Sequence, residues 1–456
     1  MSNQRITGNK LLDQPVSSLL WTMSVPMMLS MIVQSLYNIV DSMFVARLGV
    51  EALTAVSYVF PLQNIVLSLA VGFGVGINAV IAMNLGMGNQ EKANQTATLG
   101  MALTVLHGLL FIVLGFLVAR PFLELFTTDE QIIQWGVQYA VIVFTFSMGY
   151  LLQISMEKIF QSVGEMMITM VILASGSIIN IILDPIFIFG WFGFPALGVA
   201  GAAIATVIGQ TAAFFFYLIA YKKKKLPVEI HLRYLQWNGQ LVWKLYYIGI
   251  PAAITMALPS ILAGALNKLL SAYGDVYVAV MGIYFKLQTF LYMPSNGIIQ
   301  GIRPIISCNY GAGRYDRMWE TIGRSVAAVA VIMLLGTVLC WLLPEQLMLL
   351  FDDDAALVAL GAHVLPLISL GFLFSALGVI LSGVMEALGR GLASLVLSLL
   401  RQMVLTVPLA WLLSNWLKAD GIWLSLPLAE GLAFFFAVAL LLGLRREQGK
   451  EQNEKH

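Results

Sequence analysis

Asp41 and Asp184 are carboxylates set inside long apolar stretches. An acid at the centre of a bilayer costs about 2.5–3.5 kcal/mol on insertion scales, so such a residue turns toward a wet cavity or a partner. Both have polar company at helical spacing. Ahead of Asp41 the chain reads Gln34-Ser-Leu-Tyr37-Asn38-Ile-Val-Asp41. Gln34 and Asn38 are four apart, Asn38 and Asp41 three, Tyr37 and Asp41 four, which places them on one helical face. Ahead of Asp184 it reads Ser177-Ile-Ile-Asn180-Ile-Ile-Leu-Asp184-Pro185, with Ser177, Asn180 and Asp184 in register again. Pro185 has no N–H, so the Ile181 carbonyl loses its helical partner close to the carboxylate. A carboxylate, an amide oxygen and a loose carbonyl suit a hard cation such as Na⁺. The same acids suit a proton: two carboxyls that approach each other hold one proton as a coupled unit. A polar stripe sealing one helix to another, or a proline kink tethered by local hydrogen bonds, gives the same spacings. The place of Asp41 near the end of its segment also fits an acid at the membrane surface.

Other residues carry weaker signals. Met27 and Met31 fall in line with Gln34, Asn38 and Asp41, and 22 methionines in all give soft, adaptable surface or ordinary apolar filling. Glu430 is a third deep acid without a polar neighbour at helical spacing. Lys268 and Lys286 are positioned to pair with such acids or to snorkel to the membrane surface. The four histidines are scattered and the two cysteines, Cys308 and Cys340, lie in or beside apolar runs, so neither a metal cluster nor a disulfide framework is implied. No phosphate-binding loop and no nucleophile–base pair is visible, which leaves ATP coupling without a motif and argues against an enzyme.

The elements that must position these residues are membrane helices. The chain is 59% hydrophobic and 11% charged, with a mean hydropathy of +0.86, against about 25% charged for soluble domains. Twelve segments are apolar over the length a span needs: 17–44, 53–83, 97–119, 133–155, 166–190, 197–221, 244–272, 277–308, 321–343, 360–384, 392–414 and 421–444. Of the 25 Lys and Arg, all but Arg47, Arg120, Lys268, Lys286 and Lys418 fall on the side that holds both termini. The positive-inside rule puts that side in the cytoplasm. No cleavable signal peptide is expected.

The chain is also written twice. Pro26 falls on Pro251, a shift of 225, and the same shift carries Gly72 and Gly76 onto Gly297 and Gly301, and Asn84-Leu-Gly-Met-Gly88 onto Asn309-Tyr-Gly-Ala-Gly313. The Gly-x-Gly ends read as helix C-caps, and glycines 72, 74 and 76 as close-packing positions between helices. Six spans per copy is an even number, so the copies share one orientation about an axis along the membrane normal, the plan of transporters that bind substrate between halves. The sequence thus predicts an all-α polytopic membrane protein of twelve transmembrane helices in two six-helix lobes related by a pseudo-twofold axis. The first lobe covers 1–221, a linker 222–243, the second lobe 244–444 and a tail 445–456. The acids break the symmetry: Asp41 corresponds to Leu266, and Asp184 to Val407 or Leu409.

Together, Pro26…Gln34-Ser-Leu-Tyr-Asn38-Ile-Val-Asp41…Gly49, the repeated Asn-x-Gly-x-Gly ends, and Asn180-x-x-x-Asp184-Pro185 followed by Gly198-x-x-Gly201-Ala-Ala-x-Ala-Thr206 resemble the multidrug and toxic compound extrusion (MATE) transporters, most closely the prokaryotic DinF-like branch. The resemblance spans the whole chain. It implies export of bulky, often cationic amphiphiles in exchange for H⁺ or Na⁺, with a cation site at Asp41, Asn180, Asp184 and Thr206, lined by Tyr37 and Asn38. Spans seven and ten, where other branches place acids, here have none, which concentrates coupling in the first lobe. The expectation is a secondary antiporter working by alternating access, with H⁺ or Na⁺ as its ion and no other cofactor. Substrate would meet Met27, Met31, Gln34, Tyr37, Asn38 and Ser177. The partners expected are amphiphilic organic cations and the lipid bilayer, with no nucleic acid. The expected setting is a prokaryotic inner membrane, as a functional monomer with both termini cytoplasmic. A lipid or lipid-linked oligosaccharide flippase of the same wider superfamily is the nearest alternative, disfavoured by acidic rather than cationic cavity candidates. A channel or non-transporting scaffold would have no use for asymmetric buried acids.

Overall fold

The structure, a computed structural model, describes residues 9–453, and nearly all of them are helical. In chain order the helices are α1 (Lys10–Asp13), α2 (Val16–Ala46), α3 (Val50–Gly86), α4 (Gln90–Leu123), α5 (Glu130–Thr145), α6 (Ser147–Ser162), α7 (Met166–Phe189) and α8 (Val199–Lys223) in the first half. In the second half they are α9 (Gly239–Leu270), α10 (Asp275–Gly311), α11 (Tyr315–Leu342), α12 (Pro344–Leu349), α13 (Ala355–Ala387), α14 (Gly391–Leu399), α15 (Thr406–Leu417) and α16 (Ala419–Asn453). Among the described residues, eleven spans are long and apolar enough to cross a membrane, twelve when α5 and α6, bent by 48° at Phe146, are taken as one. A π-helical stretch, Leu400–Leu405, joins α14 to α15.

The bent fourth span runs further than hydropathy indicates. Glu157, Lys158 and Gln161 interrupt the apolar run near its end, yet α6 continues through Ser162 and all three side chains are buried. They are tolerated because they satisfy one another, as described below.

The repeat is visible in how the lobes meet. On the half of the molecule that holds both termini, α3 lies along α9 and α10 lies along α2. Glycine makes both approaches possible. A Cβ at Gly72 would stand 2.5 Å from the Gly249 carbonyl oxygen and 2.7 Å from Ala253 Cβ; one at Gly297 would stand 2.6–2.7 Å from Met28. Gly76 meets Leu245, and Gly301 meets Ser24, each at 2.6 Å. A shift of 225 maps the Gly72–Ala253 contact onto Gly297–Met28; Gly76 and Gly301 also correspond, but their nearest neighbours lie one turn apart, since Leu245 corresponds to Leu20 and Ser24 to Gly249. The two halves therefore form one seam twice, about a pseudo-twofold axis. One pair exchanges bulk. Gly74 makes room for the stem of Lys158, whereas at their repeat mates Gly383 makes room for Ile299.

The turns after the second and eighth spans are C-caps. Gly88 and Gly313 have φ of 76° and 71°, and the following N–H groups of Asn89 and Arg314 return to the carbonyls of Asn84 and Asn309 at 2.9 Å, the hydrogen-bonding pattern of a Schellman motif. The short α1 crosses beneath the seam. Lys10 pairs with Glu165 of the first lobe at 2.7 Å, while the carbonyls of Leu11, Leu12 and Gln14 accept from Asn309, Arg314 and Arg317 of the second.

Away from the termini side the seam ends. On α2 the exposed apolar residues Val25, Leu29, Ile32, Leu36, Ile39 and Met43 recur every three or four positions and mark the outward stripe. Gln34 and Asn38 are exposed as well, but on the other side of the helix at 100° per residue. A solvent-accessible cleft therefore opens between the lobes on the side opposite the termini.

Candidate functional site

The acids of the first lobe come together. Asp184 on α7 is fully buried and Asp41 on α2 half-buried, and their carboxyls lie within hydrogen-bonding reach of each other across the two helices. Two ionised carboxylates have no hydrogen to share, so this approach needs a proton or a cation between them. Asn180, one turn before Asp184, ties the pair to α8. With its amide turned to satisfy both ends, Nδ2 donates to Asp184 Oδ2 at 3.3 Å and Oδ1 accepts from the Thr206 N–H at 2.9 Å. In the reverse orientation Nδ2 reaches Thr206 Oγ1 at 3.3 Å. Glycine permits this closeness: Gly176 and Gly209 bring α7 and α8 together, and a Cβ at Gly209 would stand 2.8 Å from the Gly176 carbonyl oxygen.

Asp41 Oδ1 and Asp184 Oδ1 are both buried without a hydrogen-bond partner. A buried orphan acceptor costs about 1–3 kcal/mol, more when charged. Two in one pocket are better suited to receiving something than to holding a fold together. Tyr37 projects into the same pocket beside Asp41. Tyr139 on α5 is 3% exposed, accepts from Gln63 Nε2 of α3 at 3.3 Å and lies within reach of Thr206. Sequence spacing missed Tyr139 and Gln63, because each enters the site from a different span and has no polar neighbour in register.

The remaining expected residues divide. Gln34 and Asn38 are exposed to the cleft. Met31 is half-buried, and its sulfur accepts from Gln300 Nε2 at 3.6 Å. Met27 is 1% exposed and packed in the closed seam, where its sulfur accepts from Gln161 at 3.3 Å, so in this conformation it offers no surface to a substrate. Ser177 donates its hydroxyl to the Leu173 carbonyl at 3.1 Å rather than to Asn180 or Asp184. Lys268 and Lys286 are exposed and pair with no acid among the described residues; Lys286 lies over the Phe351 ring instead.

Further polar clusters lie deep in the spans, among them Arg303 with Glu386 of the second lobe. At the seam, Lys158 Nζ donates to Glu157 Oε1 at 2.8 Å, Gln161 Oε1 at 3.0 Å and, across the lobes, Gln300 Oε1 at 3.2 Å. In the second lobe Arg401 forks onto Glu430, Nε to Oε2 at 3.0 Å and Nη2 to Oε1 at 2.9 Å. Glu430 thus has a partner, from another helix, and Arg401 is buried with it as an ion pair.

A two-lobed helical bundle with paired acids buried in one lobe and a cleft between lobes defines a membrane transporter built by duplication. The MatE family model matches residues 26–186 and 251–412, one match per half. The chain belongs to this family, the multidrug and toxic compound extrusion transporters, and stands with its bacterial DinF-like branch; it is a multi-pass membrane protein and not an enzyme. It is 29% identical over 424 residues to "Probable multidrug resistance protein YoeA" of Bacillus subtilis (strain 168), covering 92% of this chain and 90% of that one. It is 26% identical over 436 residues to "Multidrug export protein MepA" of Staphylococcus aureus (strain MRSA252), covering 94% of each. Among solved structures, a MATE in complex with MaL6 superimposes with a TM-score of 0.88 at 23% identity, over 96% of this chain and 99% of that one. The outward-facing conformation of a multidrug resistance MATE family transporter does so with 0.87 at 24% identity, over 97% and 98%. At these identities the structures speak to the fold.

Proposed function

We propose that the protein is a secondary antiporter that exports amphiphilic organic cations in exchange for H⁺ or Na⁺. The observation that carries this reading is the facing pair Asp41–Asp184, each with an unpartnered buried oxygen, in only one of two otherwise matched lobes. The names of YoeA and MepA support the substrate class. The positive-inside rule supports placing the termini in the cytoplasm of a prokaryotic inner membrane, and then the cleft faces outward.

The cycle follows from charge. In the outward-facing state the coupling ion enters from the cleft past Gln34 and Asn38, reaches half-buried Asp41 and bridges it to Asp184. Neutralising the pair removes the attraction for a cationic substrate and the need of α2 and α7 to keep solvated acids apart. As a Na⁺ site, the pocket adds Asn180 and Thr206 oxygens to the two carboxylates; as a proton site, the carboxyl pair suffices. The protein works as a monomer, since each chain contains both lobes and its own cleft. Exchange requires ion and drug to favour different states or to compete for the same acids, because equal affinity for both states shifts nothing.

Ethidium efflux from everted vesicles or proteoliposomes, driven by a proton gradient and by a sodium gradient in separate experiments, tests the proposal. Efflux under one gradient alone names the ion. Ethidium binding without efflux under either gradient, in a preparation that is folded and correctly inserted, would refute the antiport mechanism.

A further inference from the structure

The outer wall of the first lobe carries a groove of about 340 Å³ between α7 and α8, away from the interlobe cleft. Its walls are apolar, among them Met167, Val171, Phe216 and Ile219, and these four side chains are 36–57% exposed. Lys223 closes the end nearest the termini. Neither composition nor shape alone distinguishes such a groove from ordinary lipid-facing surface; the charge beside it does.

Lys223 belongs to the run Lys222–Lys225, all four exposed. One acid stands nearby, Glu165 at the start of α7, and it is already shared by Lys10 and Lys224. Lys222, Lys223 and Lys225 form no ion pair with any described residue. The site is therefore an apolar slot perpendicular to the membrane surface, topped at the level where phosphates lie by three uncompensated ammonium groups. Neutral lipid would fill the slot but leave the charges unanswered. A basic cluster just cytoplasmic of a span attracts anionic headgroups with about 1 kcal/mol per lysine.

We propose that this groove binds an anionic phospholipid of the inner leaflet, with an acyl chain between α7 and α8 and its phosphate on Lys222 and Lys223. The site lies outside the bundle and is independent of how ions are coupled, although the leaflet assignment uses the orientation given above. It also has a lever on the seam. Lys224, the next residue, holds Glu165, which holds Lys10 of the crossing helix α1. A phosphate at Lys223 sits one residue from that chain of contacts.

The test is native mass spectrometry of the full chain, delipidated and then exposed to vesicles of phosphatidylcholine alone or mixed with phosphatidylglycerol. The expected result is selective retention of phosphatidylglycerol by the wild type. Retention should fall about fivefold per lysine removed at low salt, in Lys222→Gln and in Lys222→Gln/Lys223→Gln. It should return with Arg at both positions, and be lost separately in Ile219→Trp, which fills the slot but keeps the charge. Equal retention of the two lipids would overturn the proposal, as would wild-type retention in the double Gln variant. A thermal shift produced by inorganic phosphate as large as that produced by short-chain phosphatidylglycerol would overturn it too, by making the site one for free phosphate.

Discussion

Lys158 and Gln300 join the two lobes by a hydrogen bond of 3.2 Å, while the ammonium keeps its other two acceptors, Glu157 and Gln161, within its own lobe. An ammonium has three donors, and here all three are used. When the lobes part on the termini side, two bonds travel with α6 and one is left behind on α10. This bond therefore belongs to the closed seam alone, and its free energy weighs on one conformation.

Gln300→Ala should accordingly favour the state open on the termini side. A hydrogen bond to a charged group is worth about 1.5–3 kcal/mol, so the shift should be about tenfold or more. Spin-label distances between α3 and α9 across the seam measure it; an unchanged distribution would show the bond to be incidental.

Lys158→Met should be costly in a different way. It strands Glu157 in the seam, and breaking a buried pair costs about 3–5 kcal/mol. The drop in Tm should be largely recovered in Glu157→Gln/Lys158→Met, which removes the stranded charge.

The two acids of the proposed ion site make a sharper case. Asp41→Asn and Asp184→Asn should each lower ion-driven efflux by at least about tenfold with little loss of expression, since both remove a charge rather than a packing group. Thr206→Val separates the two ions. It should leave proton-driven efflux near normal and reduce sodium-driven efflux strongly, because only Na⁺ uses the hydroxyl as a ligand.

Arg401 and Glu430 should behave as structure. Arg401→Met should lower stability by about 3–5 kcal/mol, whereas Arg401→Met/Glu430→Leu should be close to neutral. Efflux retained in the double variant would confirm that this ion pair takes no part in coupling.

The strap made by α1 should loosen in acid. Half-burial by itself would raise the Glu165 carboxyl, but hydrogen bonds from Lys10 and Lys224 outweigh it and hold the group below the usual glutamate range. A depressed carboxyl contributes stability that is fully present above its unfolded value of about 4.3 and is lost as pH falls through the folded value. The protection of the amides of residues 9–14 against hydrogen exchange, corrected for the intrinsic rate at each pH, should thus be high and flat at neutral pH and fall only below about pH 4. Glu165→Gln should exchange faster at neutral pH and show little of this acid step.

What could be read in advance follows from how each residue finds its partner. Asp41, Asn38 and Gln34, or Asp184 and Asn180, are neighbours along one helix, so spacing alone groups them. The carboxyl pair itself spans α2 and α7, and only the resemblance to a family brought in Thr206 from α8. Tyr139 and Gln63 lie 76 residues apart and carry no local pattern. Hydropathy ended the fourth span before Glu157 and Lys158 because it scores each residue as if alone, and it cannot see that Lys158 answers Glu157. The partner of Arg401 is hidden from spacing for the same reason: Glu430 is 29 residues away on α16.

Gly74 beneath Lys158 and Gly383 beneath Ile299 set a limit on how interchangeable the halves still are. In a chain assembled from two first halves, position 300 would be filled by Val75 and position 383 by a second copy of Lys158. Two buried ammonium groups would then face the seam, and neither would find a cross-lobe acceptor. Two second halves would instead bring together two isoleucines, with the charges of each copy already paired within it as Arg303 and Glu386. The ancestral symmetry has become a lock with unlike parts, and either homodimer of halves would lose the contact that tells the closed seam from the open one.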